Sequence, residues 1–211
     1  MSTTSTGTNI TTPTATTPTA AAPVAEGADP GPLGLAGFAA TTMVLSIANT
    51  GIVGKGVVFA VLPLALFYGG LGQLLAGMWE FRKGNTFGAT AFSTYGSFWL
   101  AYAFYAWLFA SKIPSSDTAA ATGLFLLVFA IVTLYLIIPA LRLNAALVGV
   151  FVLLTATFVL LSIGAFASSD PITKIGGWVG LATAVVAFYT SAAVVTNATW
   201  KRIVLPVFPL S

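Results

Sequence analysis

Between residues 35 and 199 the chain passes through six long apolar stretches, near 35–53, 57–80, 87–110, 119–139, 145–167 and 175–199. Each is about 19 to 25 residues long, which at about 1.5 Å per residue matches a hydrocarbon layer of roughly 30 Å. Strands of a membrane barrel would be segments of about ten residues with alternating polarity, and these stretches do not alternate. They read as helices. Only 6% of the 211 residues are charged, against about 25% in soluble domains, so the surface cannot be wet all round. The sequence therefore predicts an all-α membrane protein with six transmembrane helices and excludes a soluble enzyme.

The breaks between the stretches carry the charges. Gly54-Lys55-Gly56, Arg82-Lys83-Gly84-Asn85, Lys112 to Asp117, Arg142 to Asn144 and Ser168 to Lys174 separate them, and every Lys and Arg lies in or beside a break. A charge at the centre of a membrane helix costs about 2.5–3.5 kcal/mol or more, which accounts for that placement. Trp79, Trp107, Trp178 and Trp200 fall near helix ends, where an amphipathic indole is favoured. Trp99 falls inside the third span. Five basic residues (Arg82, Lys83, Arg142, Lys201, Arg202) mark one side and three (Lys55, Lys112, Lys174) the other. The excess assigns a multi-pass protein of the cell membrane with both termini in the cytoplasm.

Residues 1–28 are rich in Thr, Ala and Pro and are expected to be a disordered cytoplasmic tail, because they bury too little apolar surface to offset their ordering entropy. Residues 29–205 form the transmembrane domain, and 206–211 a short C-terminal tail. The triplet Ala103-Phe104-Tyr105 recurs as Ala187-Phe188-Tyr189. Its offset carries the first three spans onto the last three, as a 3+3 inverted repeat would. Small residues at helical spacing, Gly176, Gly180 and Ala184 among them, let backbones approach closely. Spacing alone leaves open whether they pack one bundle or join subunits.

The chemistry available is narrow. The chain has no Cys and no His, which removes disulfides, thiol catalysis and the usual zinc ligands. No nucleophile–base pair is visible, no cofactor is called for, and the scattered basic residues form no nucleic-acid patch. Mid-span polarity is hydroxyl and amide, with Thr41, Thr42, Asn49 and Gln73 prominent. Such groups suit a small polar solute, and they equally suit hydrogen bonds within the bundle.

Three ordered regions stand out. Asp29-Pro30-Gly31-Pro32-Leu33-Gly34-Leu35-Ala36-Gly37-Phe38 leads into the first helix, whose free N–H groups make an anion site. Phe67 to Gln73 carries FYGGLGQ, and the run from Glu80 through KGNTFG and TAFSTYGSFW reaches Trp99. In these regions the chain resembles the acetate uptake transporters, also called succinate–acetate permeases. Their N-terminal signature reads N-P-[AV]-P-L-G-L followed by Gly-Phe, and here Asp29 and Gly31 depart from it. The resemblance covers about residues 29–205.

The resemblance implies a six-helix protomer assembling as a homo-hexamer, with a path through each protomer for acetate, succinate or other small carboxylates. It places a narrow point at Phe38, Tyr95 and Leu154. In that setting Phe38 and Leu154 are expected to form an apolar collar that gates by dewetting, with the Tyr95 hydroxyl aimed at the carboxylate. Leu33, Gly34, Leu35, Thr41, Thr42, Asn49 and Gln73 are the candidate binding residues. Glu80 reads either as a proton relay or as an interfacial charge beside Arg82 and Lys83. Asp29, where the family has an amide, would repel a carboxylate while ionised. Proton symport and anion conduction both remain open, as do a channel for a neutral amide such as urea and a membrane sensor that transports nothing.

Overall fold

Each helix begins and ends where local chemistry dictates. The computed structural model describes residues 1–4 and 27–210. Most of the segment expected to be disordered lies outside the described residues. Helix α1 (Gly31–Thr50) has Pro32 in its first turn and ends on Gly51 at φ 78°. A proline at the start gives up an N–H with no intrahelical partner, and a glycine just past the end adopts the left-handed conformation without steric cost. The second span runs through a 3-10 turn (Lys55–Ala60), α2 (Val61–Leu66), a π-helical segment (Phe67–Gly72) and α3 (Gln73–Lys83).

Only Gly84 and Asn85 separate α3 from α4 (Thr86–Phe104). Gly84, at φ 72°, closes α3, and the Asn85 side chain accepts the Gly88 N–H at 3.1 Å to open α4. The Lys-Gly-Asn-Thr motif is thus a C-cap and an N-cap in direct succession. Helix α4 continues through a π turn (Tyr105–Phe109) and a 3-10 turn (Ala110–Lys112). Three further helices follow: α5 (Thr118–Ala140), α6 (Ala145–Phe166) and α7 (Asp170–Trp200). Asn144 caps α6 by accepting the Leu147 N–H at 2.9 Å.

Among the described residues, five helical stretches are long and apolar enough to cross a membrane: Gly31–Thr50, Gly56–Lys83, Thr118–Ala140, Ala145–Phe166 and Asp170–Trp200. Helix α4, with its preceding and following turns, supplies the sixth expected span and is the polar exception. It carries Ser93, Thr94, Tyr95 and Ser97, and it packs against α1, α2, α3 and α5. A helix enclosed by other helices has no need of an apolar surface all round. Helices α1 and α7 pack together, as do α5 with α6 and α6 with α7.

Glycines set the closest approaches. A Cβ on Gly37 would meet the Tyr68 carbonyl, and one on Gly69 would meet the Thr41 side chain, so α1 lies directly on the π-helical segment. Gly180 faces Ser46 and Thr157, and Gly176 faces Leu161. The Gly176-x-x-x-Gly180 stripe therefore packs α7 against α1 and α6 within the protomer. Trp79, Trp107, Trp178 and Trp200 are all more than half exposed, as interfacial anchors would be, whereas Trp99 is buried.

The C-terminal segment is not a loose tail. Lys201 takes a left-handed conformation and reverses the chain. Residues beyond it return to the α5–α6 turn, where Asn144 and Pro209 form an antiparallel bridge.

Candidate functional site

Three cavities follow one another along α1, α4 and α6. The first, about 350 Å³, lies at the end of the bundle marked by Asp29, Glu80, Asn85 and Arg142, and reaches down to Phe38, Tyr95, Phe151 and Leu154. The second is about 40 Å³, enough for only a few waters, and its walls are almost wholly apolar. Thr42 and Leu45 of α1, Phe98 and Trp99 of α4, and Thr157 and Phe158 of α6 line it. The third, about 240 Å³, is reached at Asn49, Tyr105, Thr122 and Thr173.

Shared walls show that the three are in series. Phe38 and Leu154 line the first cavity and the second. Leu45, Asn49, Tyr102, Leu126 and Leu161 line the second and the third. Leu35, Phe38, Thr42 and Asn49 succeed one another on α1, and at 1.5 Å per residue the 14 positions from Leu35 to Asn49 cover about 21 Å. That is most of a bilayer's hydrocarbon thickness.

Rings close the boundary between the first two cavities. The centroids of Phe38 and Tyr95 stand 5.6 Å apart, and those of Tyr95 and Phe151 6.1 Å. Phe38, Tyr95, Phe151 and Leu154 are each 3–4% exposed. The Tyr95 hydroxyl donates to Thr133 Oγ1 at 2.9 Å, and Thr133 in turn donates to the Phe129 carbonyl at 2.6 Å. Thr133 lines none of the cavities described. Where the sequence aims the Tyr95 hydroxyl at the carboxylate, here it is taken up by Thr133 on α5, as a buried phenol takes a strong acceptor. The Tyr95 proton is thus committed to α5, and the other three collar side chains, Phe38, Phe151 and Leu154, are wholly apolar.

The mouth of the first cavity is polar. Glu80 is 2% exposed, and its Oε2 accepts from Asn85 Nδ2 at 2.9 Å. Its carboxyl is thus turned into the protein, at the end of α3 that also carries Arg82 and Lys83. Arg82 lies 5.3 Å from the Trp79 ring centroid, and Lys83 reaches Asp29 at 3.0 Å. Asp29 Oδ1 also accepts the Gly31 N–H at 3.0 Å. The chain's own carboxylate thus occupies part of the α1 N-terminus, where the sequence placed an anion site, and Lys83 balances its charge.

The profile of the GPR1/FUN34/yaaH family matches residues 12–211. The chain belongs to that family. It is 39% identical over 183 residues to the succinate-acetate/proton symporter SatP of Escherichia coli K12, covering 85% of this chain and 95% of SatP. Acetate permease A of Emericella nidulans is 39% identical over 201 residues, covering 87% of this chain and 67% of the permease. The solved structure of the bacterial acetate channel SatP superposes with a TM-score of 0.81 at 37% identity, over 86% of this chain and 99% of that one. These relatives are membrane transporters and channels, not enzymes.

The GPR1/FUN34/yaaH protein brings some of its candidate residues together and leaves others apart. Leu35, Phe38, Gln73, Glu80, Tyr95 and Leu154 all line the first cavity. Gln73 is 1% exposed and its Oε1 has no protein partner. Thr42 lines the second cavity with its hydroxyl unpartnered, and Asn49 lines the second and third. Three candidates line none of these cavities. Leu33 is 48% exposed and lines a separate groove between α1 and α7. Gly34 is packed against the Phe92 ring, and Thr41 donates to the Gly37 carbonyl at 2.9 Å beside Gly69. Phe151 completes the collar, and no motif in the sequence marks it. Its only signal there is a position three residues before Leu154, one helical turn away.

Proposed function

We propose that the protein carries acetate and other short carboxylates, succinate included, across the cell membrane along this chain of cavities. The observation that supports the reading best is that Phe38 and Leu154 line both the first cavity and the second, so whatever passes must cross between them. An apolar collar admits a small solute with a methyl end and resists hydrated ions. With the Tyr95 hydroxyl turned to Thr133, an acetate anion would cross with nothing to replace its hydration, a cost that protonation removes. The species crossing the collar is accordingly the neutral acid, and transport is coupled to protons.

Glu80 is the relay. It is the acid buried at the first cavity, and Asn85 holds its carboxyl beside the path. Gln73 also lines the first cavity, and its Oε1, which has no partner in the protein, is an acceptor for the hydroxyl of the carboxylic acid above the collar. The membrane orientation follows the basic residues, with the first cavity opening to the cytoplasm. The protomers assemble as a homo-hexamer, as the family resemblance implies. Both conclusions are tested by protease accessibility of the C-terminus and by native mass spectrometry in lipid.

Purified protein in proteoliposomes with an imposed pH gradient tests the function. Acetate uptake that follows the gradient, with urea excluded, is the expected result. Equal uptake of urea and acetate would contradict the reading, and acetate flux indifferent to the gradient would contradict proton coupling.

A further inference from the structure

Asn197 lines none of the cavities above, yet three hydrogen bonds converge on its amide. Its Oδ1 accepts the Val204 N–H at 2.7 Å and the Leu205 N–H at 3.0 Å, and its Nδ2 donates to the Leu205 carbonyl at 2.8 Å. Two turns earlier on α7, the Tyr189 hydroxyl donates to the Pro206 carbonyl at 2.6 Å. Residues 204–206 are thereby fixed along α7. The next four residues reach the start of α6. Ala145 donates to the Phe208 carbonyl at 2.9 Å, Ala146 to the Val207 carbonyl at 3.3 Å, and Leu210 to the Leu143 carbonyl at 3.1 Å.

The position reached is the mouth of the first cavity. Leu143 and Asn144 line it, and Ala145 and Ala146 supply the first N–H groups of α6, which have no acceptor within their own helix. The C-terminal segment satisfies those two donors and pairs with the residues on either side of Asn144. Val204 to Leu210 contains two prolines and no charge, so it forms no ion pair to fix its place. The side-chain bonds that fix it come from Asn197, three of them, and Tyr189, one.

We infer that Asn197 is a positioning residue for transport: through the strap of residues 204–210 it fixes Leu143 and Asn144, and hence the entrance to the first cavity. The inference rests on the reading that this cavity admits the carboxylate. It differs from a purely stabilising role in what it controls, because a displaced entrance changes how the solute is captured and leaves the collar's choice of solute size alone.

The test compares the full-length protein with Asn197→Ala, which removes all three bonds, and Asn197→Asp, which keeps an acceptor for Val204 and Leu205. Hydrogen exchange at Ala145 and Ala146 reads the strap without reference to any solute. Acetate uptake in proteoliposomes, normalised to folded protein, gives KM and the maximal rate. In Asn197→Ala we expect exchange at both amides to accelerate on the order of tenfold, the effect of losing hydrogen bonds that each contribute modestly. Its KM rises severalfold with an unchanged chain-length cut-off, and Asn197→Asp recovers most of both effects. Unchanged protection at Ala145 and Ala146 would overturn the inference, and so would lost protection with wild-type KM. If wild-type vesicles carry no acetate, the proposed solute fails and the exchange measurement alone decides whether Asn197 holds the strap.

Discussion

The Tyr95 hydroxyl donates to Thr133 at 2.9 Å, bridging α4 to α5 and leaving only the ring to face Phe38. The residue that the sequence casts as a polar contact for the solute is therefore, in the fold, one wall of an apolar ring and one pin between two helices. Removing the hydroxyl and removing the ring are different experiments with different outcomes.

Tyr95→Phe keeps the ring and deletes the interhelical bond. Thr133 keeps its own bond to the Phe129 carbonyl, so no strong donor is stranded. A loss of about 1 kcal/mol in stability is expected, with acetate flux and size selectivity at wild-type levels. Thermal unfolding in detergent and uptake in vesicles check both. A large fall in acetate flux with normal stability would show that the hydroxyl meets the solute after all.

Gly69 and Gly72 differ in what a methyl group would meet. At Gly69 it would run into Thr41, with Trp99 at 3.0 Å, whereas at Gly72 the nearest atom is the Phe67 carbonyl at 3.4 Å. Gly69→Ala overpacks the contact between α1 and the π-helical segment and should cost about 1–3 kcal/mol. Gly72→Ala should cost clearly less. Thermal unfolding of the two variants side by side settles the order.

The Asp29–Lys83 pair is half exposed, so its contribution is small. A double-mutant cycle with Asp29→Ala and Lys83→Ala should return a coupling of about 1 kcal/mol or less, falling as salt is raised. Asp29→Asn keeps an acceptor for the Gly31 N–H and should be the mildest of the single changes. A coupling that ignores salt would mean that the pair is more shielded than its exposure indicates.

Glu80→Gln preserves an oxygen that can accept from Asn85 and removes the titrating proton. Acetate uptake driven by a pH gradient should fall at least severalfold while the protein stays folded. Gradient-driven uptake unchanged in Glu80→Gln would eliminate the relay and leave Glu80 as a structural acceptor for Asn85.

The sequence disclosed the architecture because hydrophobic length and charge placement are dictated residue by residue. The bilayer penalises a charge wherever it falls in a span, so Lys and Arg mark the turns without help from tertiary structure. The break at Arg82-Lys83-Gly84-Asn85 was legible for the same local reason, but the two caps that Gly84 and Asn85 form there come from the fold. Side-chain direction was not. Whether Tyr95 bonds a solute or Thr133 depends on a residue 38 positions away, which no motif at Tyr95 encodes. Leu33 lies within, and Thr41 just beyond, the motif that holds Leu35 and Phe38, yet helical geometry turns one to a separate groove and the other onto Gly69. The repeated Ala-Phe-Tyr triplet shares buried alanines at Ala103 and Ala187. Its tyrosines diverge, Tyr105 pairing with Thr122 and Tyr189 with Pro206. The C-terminal strap left no trace in composition, since it is built from backbone bonds, one amide and one phenol.

The size cut-off at the collar is the central claim, and a graded series of straight-chain monocarboxylates measures it directly. Wild-type, Phe38→Ala and Leu154→Ala proteins in proteoliposomes should all carry acetate. The two variants should also pass longer acids that the wild type excludes, with Phe38→Ala shifting the limit further because it removes the larger side chain. Both substitutions are expected to cost about 2–5 kcal/mol in stability, so rates are compared per folded protein. An identical chain-length limit in all three would contradict the collar as the selective element.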